Sequence, residues 1–266
     1  MDFVALVFVV VVSGLYTSLW GAFKDSPYED WKPRTFPRSM YFHVVIFLVL
    51  YWVPPFSQRF APLGLVQVFF LVMGLERFLA EIYKGFFRTE DQAKYFVPSR
   101  ITFFGRYVDS NLVRHGMGVV IVAAVFAFSL LSTQITSFVG FALTAYGTGL
   151  VVAMGGAYKD APFEGFKWLK FQRSGAVLAL LSPLFYFLND PLNPIPLGFL
   201  IYMNGGLERF AVEYYKTYIQ RNMSGKFRPD IQRLQERIDR REKFHYMALV
   251  IIAGLAVLYA YEFRAL

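Results

Sequence analysis

Long apolar stretches separated by short charged segments dominate this chain. Because about 20 helical residues cross a bilayer core of about 30 Å, each stretch suits one membrane span, except that 115–158 is long enough for two and breaks near Ser132. The stretches at 60–75 and 191–207 continue as helix to about Lys84 and Lys216. The pattern predicts an all-α polytopic membrane protein with about eight transmembrane helices. The stretches without Lys, Arg, Asp or Glu are 3–23, 39–58, 60–75, 115–158, 174–189, 191–207 and 244–261.

The polar positions that end these stretches occur twice. Gly74-Leu75-Glu76-Arg77-Phe78-x-x-Glu81-x-Tyr83-Lys84 returns as Gly206-Leu207-Glu208-Arg209-Phe210-x-x-Glu213-x-Tyr215-Lys216. Upstream, Gly21-Ala22-Phe23-Lys24-Asp25-x-Pro27-x-Glu29 returns as Gly156-Ala157-Tyr158-Lys159-Asp160-x-Pro162-x-Glu164. The recurrence predicts two tandem four-helix repeats, 1–131 and 132–266, within a single integral membrane domain. Four is an even number, so the repeats should run in parallel about a pseudo-two-fold axis along the membrane normal.

The basic residues predict which way the repeats face. All but four of the 27 lysines and arginines lie in the segments 24–38, 84–114, 158–173 and 216–243. By the positive-inside rule these loops are cytoplasmic and both termini lie outside. No basic region precedes the first apolar stretch, so we expect that stretch to be a retained helix and not a cleaved signal.

Composition removes several classes of chemistry. The chain is 56% hydrophobic, with 3 histidines and no cysteine. There is therefore no disulfide framework and no thiolate metal site, and we predict neither a metal nor a cofactor. Nucleotide-binding and hydrolase motifs are absent from the sequence. The basic charge lies in loops beside the membrane, where anionic lipid explains it better than nucleic acid does.

The upstream motif places charges at the membrane boundary. Pro27 ends the preceding helix near Lys24 and Asp25. Two carboxylates among cations can act in acid–base chemistry or bind a metal, or they can form an ion-pair cluster that fixes the loop. The candidate residues are Lys24, Asp25, Glu29 and Arg38, with Lys159, Asp160, Glu164 and Arg173 in the second copy.

The second motif places charges inside an apolar helix. A helical repeat puts Arg77, Glu81 and Lys84 on one face, and Arg209, Glu213 and Lys216 follow the same spacing. A charge at the bilayer centre costs roughly 2.5–3.5 kcal/mol, so these side chains should face protein or a wet cavity. Arginine suits a phosphate or carboxylate group. The alternative is structural pairing across the repeat axis, between Arg77 and Glu213 or between Glu81 and Arg209.

The order of the motifs resembles a known family. The residues that carry it are His115-Gly116-x-Gly118, the run 155–160, Gly206-x-x-Arg209-Phe210-x-x-Glu213, and Phe36-Pro37-Arg38-Ser39-Met40-Tyr41. They are similar to motifs of the prolipoprotein diacylglyceryl transferases, bacterial membrane enzymes that move a diacylglyceryl group from phosphatidylglycerol to a lipoprotein cysteine. The resemblance implies a place in the bacterial inner membrane and a lipidated protein acceptor. It also implies that the motif loops face the periplasm, against the charge rule.

Three functional hypotheses follow. The first is a lipid-modifying transferase, in which Arg77 and Arg209 hold an anionic headgroup, Glu81 and Glu213 orient them, and His115, Asp160 or Glu164 transfers a proton. Its functional copy should be the second, where the motifs fall in the family's order. The second hypothesis is a lipid or small-anion transporter that uses both copies. The third is a non-catalytic scaffold in which the charges are interhelical pairs, and there His115 is only an interfacial residue.

Overall fold

A computed structural model describes residues 2–27, 31–89, 101–103, 106–221 and 234–265. Most of them are helical, and one small hairpin pairs Thr102 with Tyr107. The helices are α1 Phe3–Asp25, α2 Arg38–Trp52, α3 Phe56–Phe60, α4 Leu65–Ile82, α5 Asn111–Phe128, α6 Phe138–Glu164, α7 Trp168–Leu181, α8 Pro183–Phe187, α9 Leu197–Tyr214, α10 Leu234–Arg240 and α11 Glu242–Ala265. The strands are β1 Thr102–Phe103 and β2 Arg106–Tyr107.

Two wide π-helical turns, π1 and π2, prolong the central helices. π1 is Tyr83–Phe87 and follows α4, and π2 is Tyr215–Ile219 and follows α9. Both begin at the tyrosine that precedes the lysine of the repeated motif. The local backbone therefore departs from the ordinary helical period at the same motif position in both halves of the chain.

Among the described residues, four helices are long and apolar enough to cross a membrane: Phe3–Asp25, Asn111–Phe128, Phe138–Tyr158 and Gln235–Ala265. The structure is therefore that of a helical protein suited to a membrane, as the apolar pattern predicted. The other four expected spans are shorter or more charged than these helices. α2 and α7 have 15 and 14 residues, whereas α4 and α9 each carry three charged side chains within 18 residues. The count of eight spans remains a prediction.

α4 and α9 cross at two glycines. A methyl group on Gly74 would collide with the carbonyl oxygen of Tyr202, and one on Gly206 would collide with that of Phe70. Small residues let helix backbones approach closely inside a bilayer, where packing replaces the hydrophobic effect as the driving force. The glycine of the repeated motif therefore has a packing role that only its lack of a side chain permits.

The hairpins α1–α2 and α6–α7 use glycine in the same way. A Cβ built on Gly14 would lie 2.5 Å from Cα of Met40, and one on Gly149 would lie 2.6 Å from Cα of Gly175. Gly14 and Gly149 stand seven residues before the glycine of their own copies of the upstream motif. Each hairpin contacts the central helix of its own half through a serine. This serine is Ser39 in the first hairpin and Ser174 in the second.

The charged ends of the helices gather at one end of the bundle. Lys24 at the end of α1 reaches Glu213 near the end of α9, 3.8 Å away. At the opposite end, the ring of Phe3 packs on Tyr51 at the end of α2. There the carboxylate of Glu262 on α11 accepts hydrogen bonds from the first backbone N–H groups of α4. Carboxylates are favoured at that position by the helix dipole.

A single buried core draws on both halves of the chain. It extends from Leu6 on α1 to Ala248 on α11 and includes eight residues of α4 and five of α9. Both proposed repeats, 1–131 and 132–266, therefore contribute to one core. The boundary between them falls in the connection from α5 to α6.

Candidate functional site

The two central helices exchange ion pairs across their crossing. The guanidinium of Arg77 on α4 donates to the carboxylate of Glu208 on α9 and to the carbonyl oxygen of Gly205. Arg209 on α9 donates in turn to the carboxylate of Glu76 on α4. Each Glu-Arg pair of the repeated motif is thus satisfied by the other copy. We call these four side chains the crossed pair.

A serine from each hairpin completes the crossed pair. Ser39 Oγ on α2 donates to Oε1 of Glu76 over 3.3 Å, and Ser174 Oγ on α7 donates to Oε1 of Glu208 over 2.7 Å. Both carboxylates are buried. A buried charge is tolerated when it is paired and its remaining hydrogen-bonding capacity is filled. The arrangement therefore neutralises four charges within the bundle.

The partners of the two arginines differ from those that the sequence suggested. The expected cross-axis pairs were Arg77 with Glu213 and Arg209 with Glu81, and those two glutamates were also expected to orient the arginines. The direct partners are Glu208 and Glu76. The glutamate next to the arginine in the sequence points across the helix crossing, because both helices present that face to each other.

A second layer of charge lies nearer the basic end of α9, where α1 covers it. Glu213 pairs with Lys216 at 2.9 Å and with Lys24 at 3.8 Å. Trp20 Nε1 donates to Thr217 Oγ1 over 2.7 Å. The indole ring also lies 5.2 Å from the guanidinium carbon of Arg209. The side chain of Glu213 is consequently 12% exposed.

The same layer on α4 is open. Glu81 pairs with Lys84 at 2.6 Å, and the Glu81 side chain is 51% exposed. Gly155 on α6 holds the place in the repeat that Trp20 holds on α1, and no atom of the described residues lies within 4 Å of a Cβ built there. The neighbouring side chains Val151 and Met154 are exposed as well. Identical motifs therefore have a covered copy on α9 and an open copy on α4.

Two histidines stack on the π-helical turns. His115, in the second turn of α5, stacks on Phe87 of π1 with ring centroids 5.7 Å apart. His245 on α11 stacks on Tyr218 of π2 at 4.6 Å and lies 3.0 Å from the hydroxyl of Tyr214. The sequence argument selected only His115. The signal that identifies His245 is a short recurrence, because His115-x-Met117-Gly118 returns as His245-x-Met247-Ala248.

His43 was missed because it stands alone in an apolar stretch. It is fully buried on α2, with Nδ1 2.7 Å from the carbonyl oxygen of Ser39. A carbonyl oxygen only accepts, so Nδ1 carries a proton. Nε2 has no hydrogen-bond partner among the residues that the structure describes. His43 is therefore held through Nδ1 against the backbone of the serine that supports Glu76.

Asn204 is a second buried polar side chain that the sequence did not suggest. It lies on α9 with no exposed surface, and within the described ranges neither its amide nitrogen nor its amide oxygen has a partner. The corresponding position on α4 is Val72, which is also buried. At this position of the repeat, α9 therefore has a buried amide without hydrogen-bond partners among the described residues, whereas α4 has an apolar valine.

The remaining candidates divide into peripheral residues and residues outside the described part. Arg38 is exposed, and Asp25 is half-buried at the end of α1. Arg173 is half-buried, and its Nε has no hydrogen-bond partner within the ranges described. The described residues hold no group of three or more His, Asp or Glu side chains suited to a metal ion. The side chains of Glu29, Lys159, Asp160 and Glu164 lie outside the described residues.

Comparison with known proteins gives no match to any family model, curated protein or solved structure. The resemblance to the diacylglyceryl transferases therefore stays a prediction that depends on the motifs alone.

The crossed pair predicts a specific pattern of destabilisation. Replacing Arg209 by Met leaves Glu76 buried and unpaired, so we expect the free energy of unfolding to fall by about 3–5 kcal/mol. Replacing Glu76 by Leu in the same chain should restore most of the loss. The measurement is reversible unfolding of the purified protein in bicelles.

Glu208 pairs with Arg77 and not with Arg209, so it supplies the matched control for the Arg209–Glu76 ion pair. Arg209→Met combined with Glu208→Leu removes one partner from each ion pair, so this double variant should be less stable than Arg209→Met alone. Equal rescue by the two leucine substitutions would contradict the pairing.

Asn204 predicts an increase in stability. Asn204→Val installs the residue of the corresponding position on α4 and removes a buried amide without partners, whose desolvation costs about 1–3 kcal/mol. We expect the free energy of unfolding to rise within that range in the same assay. The reverse change, Val72→Asn, should lower it, and a loss of stability in Asn204→Val would show that the amide has a partner.

Proposed function

We propose that the chain crosses the membrane eight times as two parallel four-helix repeats. Three observations support the finer count. The long helices follow one another in a similar order in both halves, α1–α2–α3–α4–α5 and α6–α7–α8–α9–α11, with the β1–β2 hairpin before α5 and the short α10 before α11. Equivalent glycines, Gly74 and Gly206, make equivalent close approaches. α4 and α9 carry six charges that keep them from resembling simple spans, yet the crossed pair neutralises four of those charges internally.

The basic end of the bundle is proposed to face the cytoplasm of a bacterium. The excess of lysine and arginine at that end supports the orientation, whereas the family resemblance favours the periplasm. Fusions of alkaline phosphatase to the 54–55 and 191–194 turns should be active, because that enzyme needs an oxidising compartment. Fusions within 106–110 should be inactive. The reverse result would select the opposite orientation.

We propose that the protein binds an anionic phospholipid at the open copy of the motif and acts on it as a transferase. The observation that carries the proposal is the contrast between Glu81 and Glu213, which are 51% and 12% exposed within the same motif. A symmetric carrier needs both copies, whereas an enzyme needs one. A site that is covered in one half and open in the other therefore favours an enzyme.

The open copy carries suitable chemical groups at the basic end of α4. The ammonium group of Lys84 provides a cation for a phosphodiester, and the carboxylate of Glu81 can accept the proton of an attacking nucleophile. His115 stacks on the adjoining π1 turn and supplies an imidazole as a second group that can exchange a proton. In this proposal Arg77 positions the helix through Glu208 and does not hold the headgroup itself. Arg209 and Glu213 become structural.

The reaction we propose by resemblance is transfer of a diacylglyceryl group to a cysteine thiol. The thiol sulfur attacks the glyceryl carbon of phosphatidylglycerol, the carbon–oxygen bond to phosphate breaks, and glycerol phosphate leaves. Glu81 takes the thiol proton, and Lys84 balances the charge of the departing phosphate. Both groups belong to the open copy, which is the first copy and not the second that the motif order favoured.

A scaffold is the second candidate, and the crossed pair favours it. All four charges of that cluster are used in interhelical contacts. A scaffold function gives no role to the exposed carboxylate of Glu81. It predicts no difference in lipid chemistry between variants of the two copies.

The decisive comparison uses the same substitution in each copy. We expect Glu81→Gln and Lys84→Met to lower release of glycerol phosphate at least about 10-fold, because the open copy contains the reacting groups. The assay uses the full chain in phosphatidylglycerol nanodiscs with a cysteine-bearing peptide. Glu213→Gln and Lys216→Met are the matched controls, and they should retain activity in proportion to the folded protein. Equal loss in both copies would contradict the assignment of the reacting groups to the open copy, and absence of release from the wild type would favour a carrier or the scaffold over a transferase.

A further inference from the structure

Arg114, in the first turn of α5, is a buried cation without a carboxylate partner among the described residues. Its side chain belongs to a residue that is only 3% exposed. Nη2 donates to Oδ1 of Asn111 over 2.9 Å, whereas Nε is buried and has no hydrogen-bond partner in the part of the chain that the structure describes. The two arginines of the crossed pair each reach a glutamate, so Arg114 differs from them in lacking a counter-charge.

The second repeat shows that the fold does not need a charge at this position. With His115 aligned to His245, Arg114 corresponds to Phe244. Phe244 is 4% exposed and stacks on Phe36, with ring centroids 6.2 Å apart. The first repeat therefore has a guanidinium where the second repeat has a core aromatic ring. Packing alone does not explain the arginine.

Contacts with π1 keep this face of α5 away from water. A Cβ built on Gly118 would lie 2.6 Å from the ring of Phe87, so the helix backbone lies close against the π-helical turn. Arg114 precedes Gly118 by four residues and therefore shares its face. A buried charge is tolerated when it is paired and hydrogen-bonded. The guanidinium therefore requires an acceptor that the described residues do not supply.

The start of α5 adds further donors beside the guanidinium. The hydrogen bond to Asn111 holds the end of the arginine side chain over the first turn. The first N–H groups of a helix have no partners within it, and they carry the positive end of the helix dipole. Ser110 Oγ accepts from the N–H of Val113 over 3.4 Å, so those of Asn111 and Leu112 have no partner within the helix. Phosphate groups bind at such helix starts, and arginine provides two parallel donors for them.

The next residue carries a second polar atom without a partner. His115 stacks on Phe87 of π1, and its Nε2 is buried with no hydrogen-bond partner among the described residues. Arg114 and His115 thus each bring an unsatisfied nitrogen to the junction of α5 and π1. Both observations indicate a polar ligand at this junction.

We infer that an oxyanion with the chemistry of a phosphate ester binds at the start of α5. Its oxygens accept hydrogen bonds from the guanidinium of Arg114 and from the first N–H groups of the helix. A phospholipid headgroup and soluble phosphate both supply this chemistry. α5 is long and apolar enough to cross a membrane, so its first turn lies at the level of lipid headgroups. The inference goes beyond the proposed function, because the proposed reaction does not use Arg114.

Stability that depends on the anion tests the site. The full chain is purified in maltoside micelles in chloride buffer, and its thermal midpoint is measured with added phosphatidylglycerol or, separately, with inorganic phosphate. A ligand that binds only the folded protein raises the midpoint, and we expect a rise of at least about 4 °C. A rise with the lipid alone identifies a headgroup site, whereas a rise with inorganic phosphate identifies a site open to soluble anions. No rise with either would overturn the inference.

Arg114→Phe gives the specific comparison, because it installs the residue of the equivalent position on α11. In chloride this variant should be at least as stable as the wild type, since the unpaired charge is gone, and it should lose the rise caused by the anion. Arg106→Met removes an exposed arginine of β2 and is the matched control. It should keep the rise.

Asn111→Asp tests the same contact without removing the arginine. The new carboxylate stands where the amide oxygen now accepts from Nη2, so it supplies the missing counter-charge from within the chain. We expect a higher midpoint in chloride and a smaller rise with the anion. If Arg114→Phe does not fold, the Asn111→Asp result decides. A full wild-type rise in the folded variants would overturn the assignment.

The binding measurement is independent of the transferase proposal. The micelles contain no cysteine-bearing peptide, so the shifts in midpoint report binding and not turnover. Anion binding that depends on Arg114, in a protein that releases no glycerol phosphate in nanodiscs, would support this site and reject the transferase.

Discussion

The reciprocal pairing of Glu76 with Arg209 and of Glu208 with Arg77 is the interaction on which the other features depend. Unpaired, any one of these charges inside an apolar bundle would cost several kcal/mol. The pairs form only where the two backbones are close, and that closeness needs glycine at 74 and 206. The packing and the electrostatics of the crossing therefore require each other. The serines of the two hairpins, Ser39 and Ser174, then tie the outer helices to the same point.

The apolar pattern was enough to predict a helical membrane protein, because hydrophobic length is a property of consecutive residues. Pairing across helices is not such a property. Counting by 3.6 residues grouped Arg77 with Glu81 and Lys84, but it could not show that neighbouring Glu76 and Arg77 both reach the opposite helix. The π1 turn, from Tyr83 to Phe87, shifts the phase of every later residue. A spacing of 3.6 residues per turn therefore no longer predicts which side chains share a face from Tyr83 onward, where the charged end of α4 begins.

Two isolated polar residues could not be predicted as buried sites from the sequence, for a different reason. His43 and Asn204 each stand alone in an apolar stretch, where no spacing marks them, and only burial without a full set of partners reveals them. The contrast between the copies, in comparison, was visible in the sequence as Trp20 against Gly155. Its meaning required the fold, because α1 covers the end of a helix from the other half of the chain.

The crossed pair also determines when α4 can make its final contacts while the chain is being synthesised. Glu76 and its partner Arg209 are separated by 133 residues. A ribosome adds about 5–20 residues per second, so α4 waits roughly 7–27 s for its partner to be made. During that interval Glu76 and Arg77 lack their final partners. The crossed pair can therefore close only after α9 has been made, so the final packing of α4 waits for the synthesis of most of the chain.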